Sequence, residues 1–255
     1  MTRRQRAALA LCALTAGCAT ASPILAPARV LAPARVELDL GTATVAPVGT
    51  GTLDDARQAR TTSDQTLRAA VAYAVTPPGI VPYVGARVGL GRQYEGGVAV
   101  IGRTLRVGAR RELISDGDFT LSAGLAGRFA FVGGALGDLT PALTVQRSGM
   151  YGGEASLVAG ITRRRIYDAW LGLRVGYLHN DATLLAPSVQ PGAFDVGVNR
   201  VESALAFGLR VGFGRLSAAI ELDFRMAWSS GGRSGESVDV VTWALVPAAA
   251  LSWRL

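Results

Sequence analysis

The sequence contains no lysine, a single histidine and only two cysteines, and these shortages exclude several kinds of site. All 26 basic residues are arginine. One histidine without a Cys-x-x-Cys or His-x-x-x-His spacing cannot supply the ligands of a zinc site. Cys12 and Cys18 both lie close to the N-terminus, inside or at the end of a short apolar run, so the rest of the chain can form no disulfide. We therefore expect neither a metal nor another cofactor.

Charged residues and long apolar runs are also scarce. Charged residues make up 18% of the chain and hydrophobic residues 49%, whereas a soluble domain has about 25% charged residues. No stretch reaches the roughly 20 consecutive apolar residues of a transmembrane helix. The apolar content is therefore divided among short segments, as in a membrane β-barrel. The net charge is +7, but the arginines are spread over these segments without forming one basic face, so we expect no nucleic-acid partner.

The N-terminus has the features of an export signal. Arg3, Arg4 and Arg6 precede the short apolar run 7–16, which leads through Gly17 into Cys18. This pattern resembles the lipobox of bacterial lipoproteins. The resemblance implies that residues 1–17 are removed by the lipoprotein-processing machinery and that Cys18 is acylated. An ordinary signal peptidase that cuts nearby, for example after Ala21, is the alternative.

The next segment contains a perfect duplication, because residues 25–30 and 31–36 both read Leu-Ala-Pro-Ala-Arg-Val. This density of proline and alanine favours an extended chain. We interpret residues 18–33 as an Ala/Pro-rich tether between the lipid anchor and a barrel at 34–255. A duplication without a role is the alternative.

From residue 34 onward the hydrophobicity has a period of two, typical of β-strands with one apolar face. Phe207, Leu209 and Val211, for example, alternate with Gly208, Arg210 and Gly212. The pattern predicts strands at 34–46, 66–75, 81–91, 97–111, 118–131, 151–162, 167–178, 201–213, 216–228 and 241–255. The segment 97–111 fits least, because Arg103 shares a face with Ile101, and it predicts a bulge near Gly102.

The predicted fold is all-β: an antiparallel up-and-down transmembrane β-barrel with ten strands, or eight as the alternative. An even number of strands leaves both ends of the barrel on the same side of the membrane. Ten strands also divide the connections into a short set at 76–80, 112–117, 163–166 and 214–215 and a mostly longer set at 47–65, 92–96, 132–150, 179–200 and 229–237. Short periplasmic turns and long external loops are typical of outer-membrane barrels.

The polar faces carry charges that would cost about 2–4 kcal/mol each in lipid, so they must face the lumen. The predicted lumen network comprises Arg68, Arg87, Arg128, Glu154, Asp168, Arg174, Glu202, Arg210, Glu221, Asp223 and Arg225. Arg106 and Arg110 lie on the same faces. A narrow lumen is filled by its own side chains, which favours a structural network over an anion conduit.

Aromatic residues lie mostly near predicted strand ends, as interfacial girdles require: Tyr73, Tyr177, Trp228, Trp243 and Trp253. Trp170 shares the lumen face with Asp168 and Arg174.

The C-terminal strand, with Trp253 and Leu255 outward, resembles the signal read by the barrel-assembly machinery. Residues 34–255 thus resemble small bacterial outer-membrane β-barrel proteins. The resemblance does not identify a particular member of this class. The resemblance implies an outer-membrane location with membrane lipid and the barrel-assembly machinery as partners, and it leaves the oligomeric state open.

These features are consistent with three hypotheses about function. The first is a non-enzymatic outer-membrane lipoprotein with a structural or surface-interaction role. The second is a periplasmic lipid-anchored barrel or sandwich that binds an apolar ligand, with its aliphatic face inside. The third is a hydrolase or protease at the outer rim, for which the candidates are His179 with Asp181, and Asp54 with Asp55. Outer-membrane proteases of the omptin family use such residues, but the Asp-x-His order of that family is missing, so we expect no enzyme and no catalytic residue.

Overall fold

The computed structural model describes residues 23–48, 67–68, 70–72, 79–132, 137–140, 143–164, 166–185, 192–233 and 236–255. Cys18, Asp54, Asp55 and Tyr73 lie outside these ranges. The strands are β1 (Val36–Val48), β2 (Gly79–Gly91), β3 (Tyr94–Ile101), β4 (Thr104–Asp116), β5 (Phe119–Val132), β6 (Gly137–Thr140), β7 (Leu143–Arg163), β8 (Tyr167–Leu185), β9 (Ala193–Phe213), β10 (Leu216–Arg233) and β11 (Glu236–Arg254). None of the helical residues within these ranges belongs to a helix long and apolar enough to cross a membrane.

Ten of these strands form a closed antiparallel ring. The order runs from β5 through β4, β3, β2 and β1 to β11 and then through β10, β9 and β8 to β7, and pairing of β5 with β7 closes it. Among the described strands, β6 pairs only with β7 and lies outside the ring. β1 pairs with β11, so both ends of the barrel chain lie at one rim, here called the terminal end; the opposite rim is the loop end. The predicted all-β fold with ten strands is confirmed.

The predicted strand at 66–75 is wrong, because Leu67, Arg68 and residues 70–72 are helical. Leu67, Ala70 and Val71 are buried in an apolar cluster. Their spacing of three and four residues is that of one helix face. Small alanines allowed the same residues to satisfy a period of two in the sequence.

The predicted strand at 97–111 is two strands, β3 and β4, joined by a turn at Gly102 and Arg103. Gly102 has φ = +57°, which suits the first position of a two-residue hairpin turn. The predicted bulge is therefore a chain reversal, and it replaces the strand lost at 66–75. As a consequence, the turn after Gly91 lies at the terminal end, whereas the segment 92–96 was predicted among the loops of the opposite end.

Residues 23–31, which belong to the segment predicted as a tether, lie inside the ring. Ile24, Leu25, Ala26 and Ala28 are buried among lumen side chains. The segment leaves the lumen at the terminal end, where the Ala34 N–H donates to the Gly89 carbonyl at 2.9 Å. The described part of the predicted tether thus fills the terminal half of the barrel.

Candidate functional site

The ring turns its aliphatic side chains outward and its charges inward. Phe207, Leu209, Ile220 and Phe224 are 44–59% exposed on the outer face. Arg225 is 1% exposed and points into the lumen. A soluble binding barrel would have the opposite orientation, with the aliphatic face in its core. The arrangement instead suits hydrocarbon outside and paired charges inside.

Two aromatic bands bound the apolar outer surface. Tyr167 and Trp253 lie near the terminal end, and Tyr177, Trp228 and Trp243 lie towards the loop end, all with exposed side chains. Tyr167 and Tyr177 are ten residues apart on β8, as are Trp243 and Trp253 on β11. At about 3.3 Å per residue and a tilt near 40°, ten residues span roughly 25 Å, the height of the apolar band of outer-membrane barrels. The fold is that of outer-membrane β-barrels.

A cluster of ion pairs fills the middle of the lumen; we call it the central cluster, and it comprises Arg106, Arg128, Glu154, Arg174, Arg200, Glu202, Asp223 and Arg225. The Arg106 Nε donates to Glu154 at 2.6 Å, and Arg128 donates to Glu202. The Arg174 Nη2 donates to Asp223 at 2.9 Å. Arg128, Arg174 and Arg225 are at most 2% exposed. These side chains occlude the lumen at their level.

A second cluster lies nearer the terminal end; we call it the lower cluster, and it comprises Glu37, Asp39, Arg87, Glu95, Arg110, Asp168, Arg210 and Arg254. Glu37 is the hub, because it accepts from Arg87, from Arg210 at 3.1 Å and from Arg254 at 2.8 Å. Arg210 also binds Asp168 at 2.8 Å. The contacts join strands far apart in sequence and so tie the ring across its lumen.

Glu221 connects the barrel wall to the N-terminal segment. Its two carboxylate oxygens accept the backbone N–H groups of Ile24 at 2.6 Å and Leu25 at 2.8 Å. The Trp170 Nε1 also donates to it, at 2.9 Å. Trp170 lies across Gly208, where a Cβ atom would come within 1.9 Å of its ring. Trp170 is therefore a lumen residue, and Gly208 provides the space it occupies.

Most residues of the predicted lumen network lie where the alternation placed them. Those found on the lumen side are Arg87, Arg128, Glu154, Asp168, Arg174, Glu202, Arg210, Glu221, Asp223 and Arg225. Arg68 is the exception: it is exposed and belongs to the helical segment, so its assignment to a strand face was wrong.

The prediction missed five members of the two clusters: Glu37, Asp39, Glu95, Arg200 and Arg254. Glu37 and Asp39 already alternated with Val36 and Leu38 in the sequence, so the signal for them was present. Glu95 and Arg200 fell in segments predicted as loops. In the structure β3 begins at Tyr94 and β9 at Ala193, earlier than predicted, so both residues lie on strand faces.

The strands β7 to β11 continue past the aromatic band and form a projecting wall at the loop end. β8 extends from Tyr177 to Leu185, whereas β1 ends at Val48, which pairs with Trp243 at the band. The inner side of the wall packs on the helical segment in an apolar cluster that includes Leu67, Val71, Leu178, Leu184, Val196 and Val198. The wall therefore has its own small core above the membrane.

His179 lies on the outer face of this wall. Its Nδ1 is 2.8 Å from Asn199 Oδ1, and its Nε2 is 3.2 Å from Asp181 Oδ1. The Tyr177 hydroxyl donates to the same Asn199 oxygen at 2.7 Å. The histidine thus belongs to a polar patch beside the aromatic band, where the outer surface changes from lipid-facing to water-facing.

No protein-family model matches the chain, and no curated protein matches it. Among solved structures it is similar to the outer membrane protease OmpT from Escherichia coli, with 8% identity, a TM-score of 0.45 and coverage of 89% of this chain and 100% of that one. It is also similar to Ail, the attachment invasion locus protein of Yersinia pestis, with 9% identity, a TM-score of 0.33 and coverage of 88% and 100%. The toluene transporter TbuX of Ralstonia pickettii has 11% identity, a TM-score of 0.34 and coverage of 88% and 90%. These proteins have different functions, and likenesses of this size assign none of them.

Proposed function

We propose that the protein is a non-enzymatic outer-membrane lipoprotein whose closed barrel serves as a rigid platform for contacts at the cell surface. The occluded lumen is the observation that supports this proposal. Three guanidinium groups of the central cluster are almost completely buried, and the N-terminal segment fills the space below them. A conduit would need a continuous aqueous path, whereas here charged side chains are engaged with one another across the ring.

Conductance in planar lipid bilayers tests the closed lumen. The full-length chain is refolded in detergent, its folded fraction is verified by heat-modifiable migration on gels, and it is then inserted into the bilayer. We expect no discrete conductance steps, because buried Arg128, Arg174 and Arg225 block the ring. Reproducible single-channel steps from the folded fraction would overturn the proposal.

The projecting wall supports a role in surface contact. It extends about eight residues beyond Tyr177 on β8, roughly 20 Å along the barrel axis. Its outer face carries hydrogen-bonding groups, among them Thr183 and Asp195, whose side chains bind each other at 2.7 Å. A stable sheet that rises above the membrane can present such groups to a partner without ordering a loop first.

Site-specific photocrosslinking on intact cells tests the surface role. A photoreactive residue at Thr183 should yield adducts with a macromolecule, because that position lies on the wall. The same residue at Leu209, which is 54% exposed on the apolar band, is the control and should yield lipid adducts only. Equal adduct patterns at the two positions would contradict the proposed contact surface.

The lipoprotein part of the proposal concerns Cys18 and rests on the signal sequence. Incorporation of labelled palmitate into the wild type, and its loss in Cys18→Ser, is the expected result. Labelling that persists in Cys18→Ser would place the acyl chain elsewhere.

A further inference from the structure

The terminal mouth of the barrel contains a cavity of about 540 Å³ with an unusual lining. Among the described residues that line it, one is acidic, Asp168. Six are arginines: Arg29, Arg35, Arg87, Arg210, Arg215 and Arg254. Pro27, Val30 and Leu31 of the N-terminal segment form an apolar wall. A volume of 300–1,000 Å³ is usual for sites that hold small molecules.

Carboxylates neutralise part of this positive charge. Glu37 accepts from Arg87, Arg210 and Arg254, and Asp168 accepts from Arg210. Arg87 also forms ion pairs with Asp39 and Glu95, and Glu95 forms a further ion pair with Arg110. The six lining arginines therefore outnumber the four carboxylates that contact them, and one of those four is shared with a further arginine.

Arg35 and Arg215 are the lining arginines whose guanidinium groups are available to bind a ligand. Within the described part of the chain, neither guanidinium group has a hydrogen-bond or ion-pair partner. Both belong to one rim: the Leu255 N–H donates to the carbonyl of Val36, next to Arg35, and the Arg254 N–H donates to the carbonyl of Arg215. The ends of β1, β11 and β10 thus bring these side chains to the same cavity.

We propose that this cavity binds a phosphate group, with Arg35 and Arg215 as its principal ligands and Arg254 beside them. A phosphate monoester carries about −1.5 to −2 charges at neutral pH and three acceptor oxygens, which matches two unpaired guanidinium groups. The planar fork of arginine suits such oxyanions. The apolar wall from Val30 and Leu31 would accommodate the organic part of the molecule. The site is independent of the proposed surface role, because it lies at the opposite rim.

Calorimetric titration of the folded full-length protein in non-ionic detergent with inorganic phosphate tests the proposal. We expect saturable binding at constant ionic strength and a loss of about tenfold or more in affinity in the double variant Arg35→Ala and Arg215→Ala. Both side chains lie outside the strands, so heat-modifiable migration should be unchanged. The matched control is Arg111→Ala with Arg163→Ala, two exposed arginines at the same end that do not line the cavity.

Two further probes distinguish the source of the phosphate group. Glycerol 3-phosphate and dioctanoyl phosphatidic acid share a headgroup and differ in their acyl chains. Equal affinities would indicate a soluble phosphate ester, and tighter binding of the lipid would indicate a membrane headgroup. Binding of none of the three phosphate probes, or equal losses in the double variant and its control, would overturn the proposal.

Discussion

At the scale of single residues, the lumen shows how arginine is held inside a barrel. Arg128, Arg174 and Arg225 are buried as deeply as core leucines, and carboxylates of the central cluster lie within reach of each. Taking an ion out of water costs several kcal/mol, which partners and hydrogen bonds must offset. Removing one partner should therefore cost far more than removing an exposed charge.

Glu202→Gln tests this argument. Glu202 is 2% exposed and lies within ion-pair distance of Arg128, Arg200 and Arg225. Its neutralisation leaves buried guanidinium groups without their shared anion, so we expect a loss of about 3–5 kcal/mol in the free energy of unfolding. Urea unfolding in detergent, followed by tryptophan fluorescence and gel migration, measures the loss.

The control for this substitution is Asp239→Asn, a change of the same kind at an exposed position near the loop end. Exposed charges contribute about 0–1 kcal/mol, so this variant should unfold close to the wild type. A Glu202→Gln protein that unfolds at the same urea concentration as Asp239→Asn would contradict a stabilising central cluster.

At the scale of elements, two segments that are not strands fill the barrel. The helical segment containing Leu67 and Val71 packs under the projecting wall, and the N-terminal segment occupies the terminal half. The barrel wall makes room for the latter, since a Cβ at Gly89 would come within 2.1 Å of the Ala32 carbonyl and one at Gly172 within 2.7 Å of Ile24. These close approaches indicate that segment and wall fit each other.

Hydrogen exchange tests whether the N-terminal segment stays in the lumen. The amides of Ile24 and Leu25 donate to Glu221, and the amide of Leu31 donates to Glu95 at 2.9 Å. We expect all three to exchange slowly in the folded protein. In Glu221→Ala, protection of Ile24 and Leu25 should fall about tenfold or more, because each amide loses its hydrogen bond to the Glu221 carboxyl group.

The Leu31 amide is the internal control, since its acceptor is unchanged in this variant. Exchange of Ile24 and Leu25 at the rate of an unstructured peptide in the wild type would show that the segment is not held in the lumen. Loss of protection at all three amides in Glu221→Ala would mean that the whole segment leaves together.

The elements also show which features a sequence pattern can predict. Alternation placed Arg128, Arg174 and Glu202 on the lumen face because a slip of one residue would turn every charge towards lipid. It could not find the turn at Gly102, since glycine and arginine also occur inside these strands. Pairing across the lumen was equally hidden: Glu37 and Arg210 are 173 positions apart, and only the closed ring brings them together.

At the scale of the whole molecule, the two rims differ in chemistry. The terminal end has short turns and the arginine-lined cavity, whereas the loop end carries the projecting wall with Asp181, Asp195 and Asp239 exposed. Short turns on the periplasmic side and longer structures outside are the rule for outer-membrane barrels. We therefore expect the terminal end to face the periplasm, which would give the phosphate cavity access from that compartment.

Epitope insertion at two hairpins tests this orientation. A short tag between Gly102 and Arg103 lies at the loop end, and one between Gly117 and Asp118 lies at the terminal end. Both are two-residue turns with a glycine at positive φ, so both should tolerate insertion without loss of the ring. On intact cells an antibody should reach the first tag, and it should reach the second only after the outer membrane is permeabilised.

The same insertion between Val98 and Ala99, inside β3, is the control for tolerance and should abolish heat-modifiable migration, because it breaks the ladder with β2 and β4. The tag at Gly102 separates two models of this region: one continuous strand over 97–111 would be interrupted by it, whereas the β3–β4 hairpin would only gain a longer loop. Reversed accessibility of the two hairpin tags would show that the barrel has the opposite orientation, with the arginine-lined mouth at the cell surface. Its phosphate ligand would then have to come from the outer leaflet or the medium.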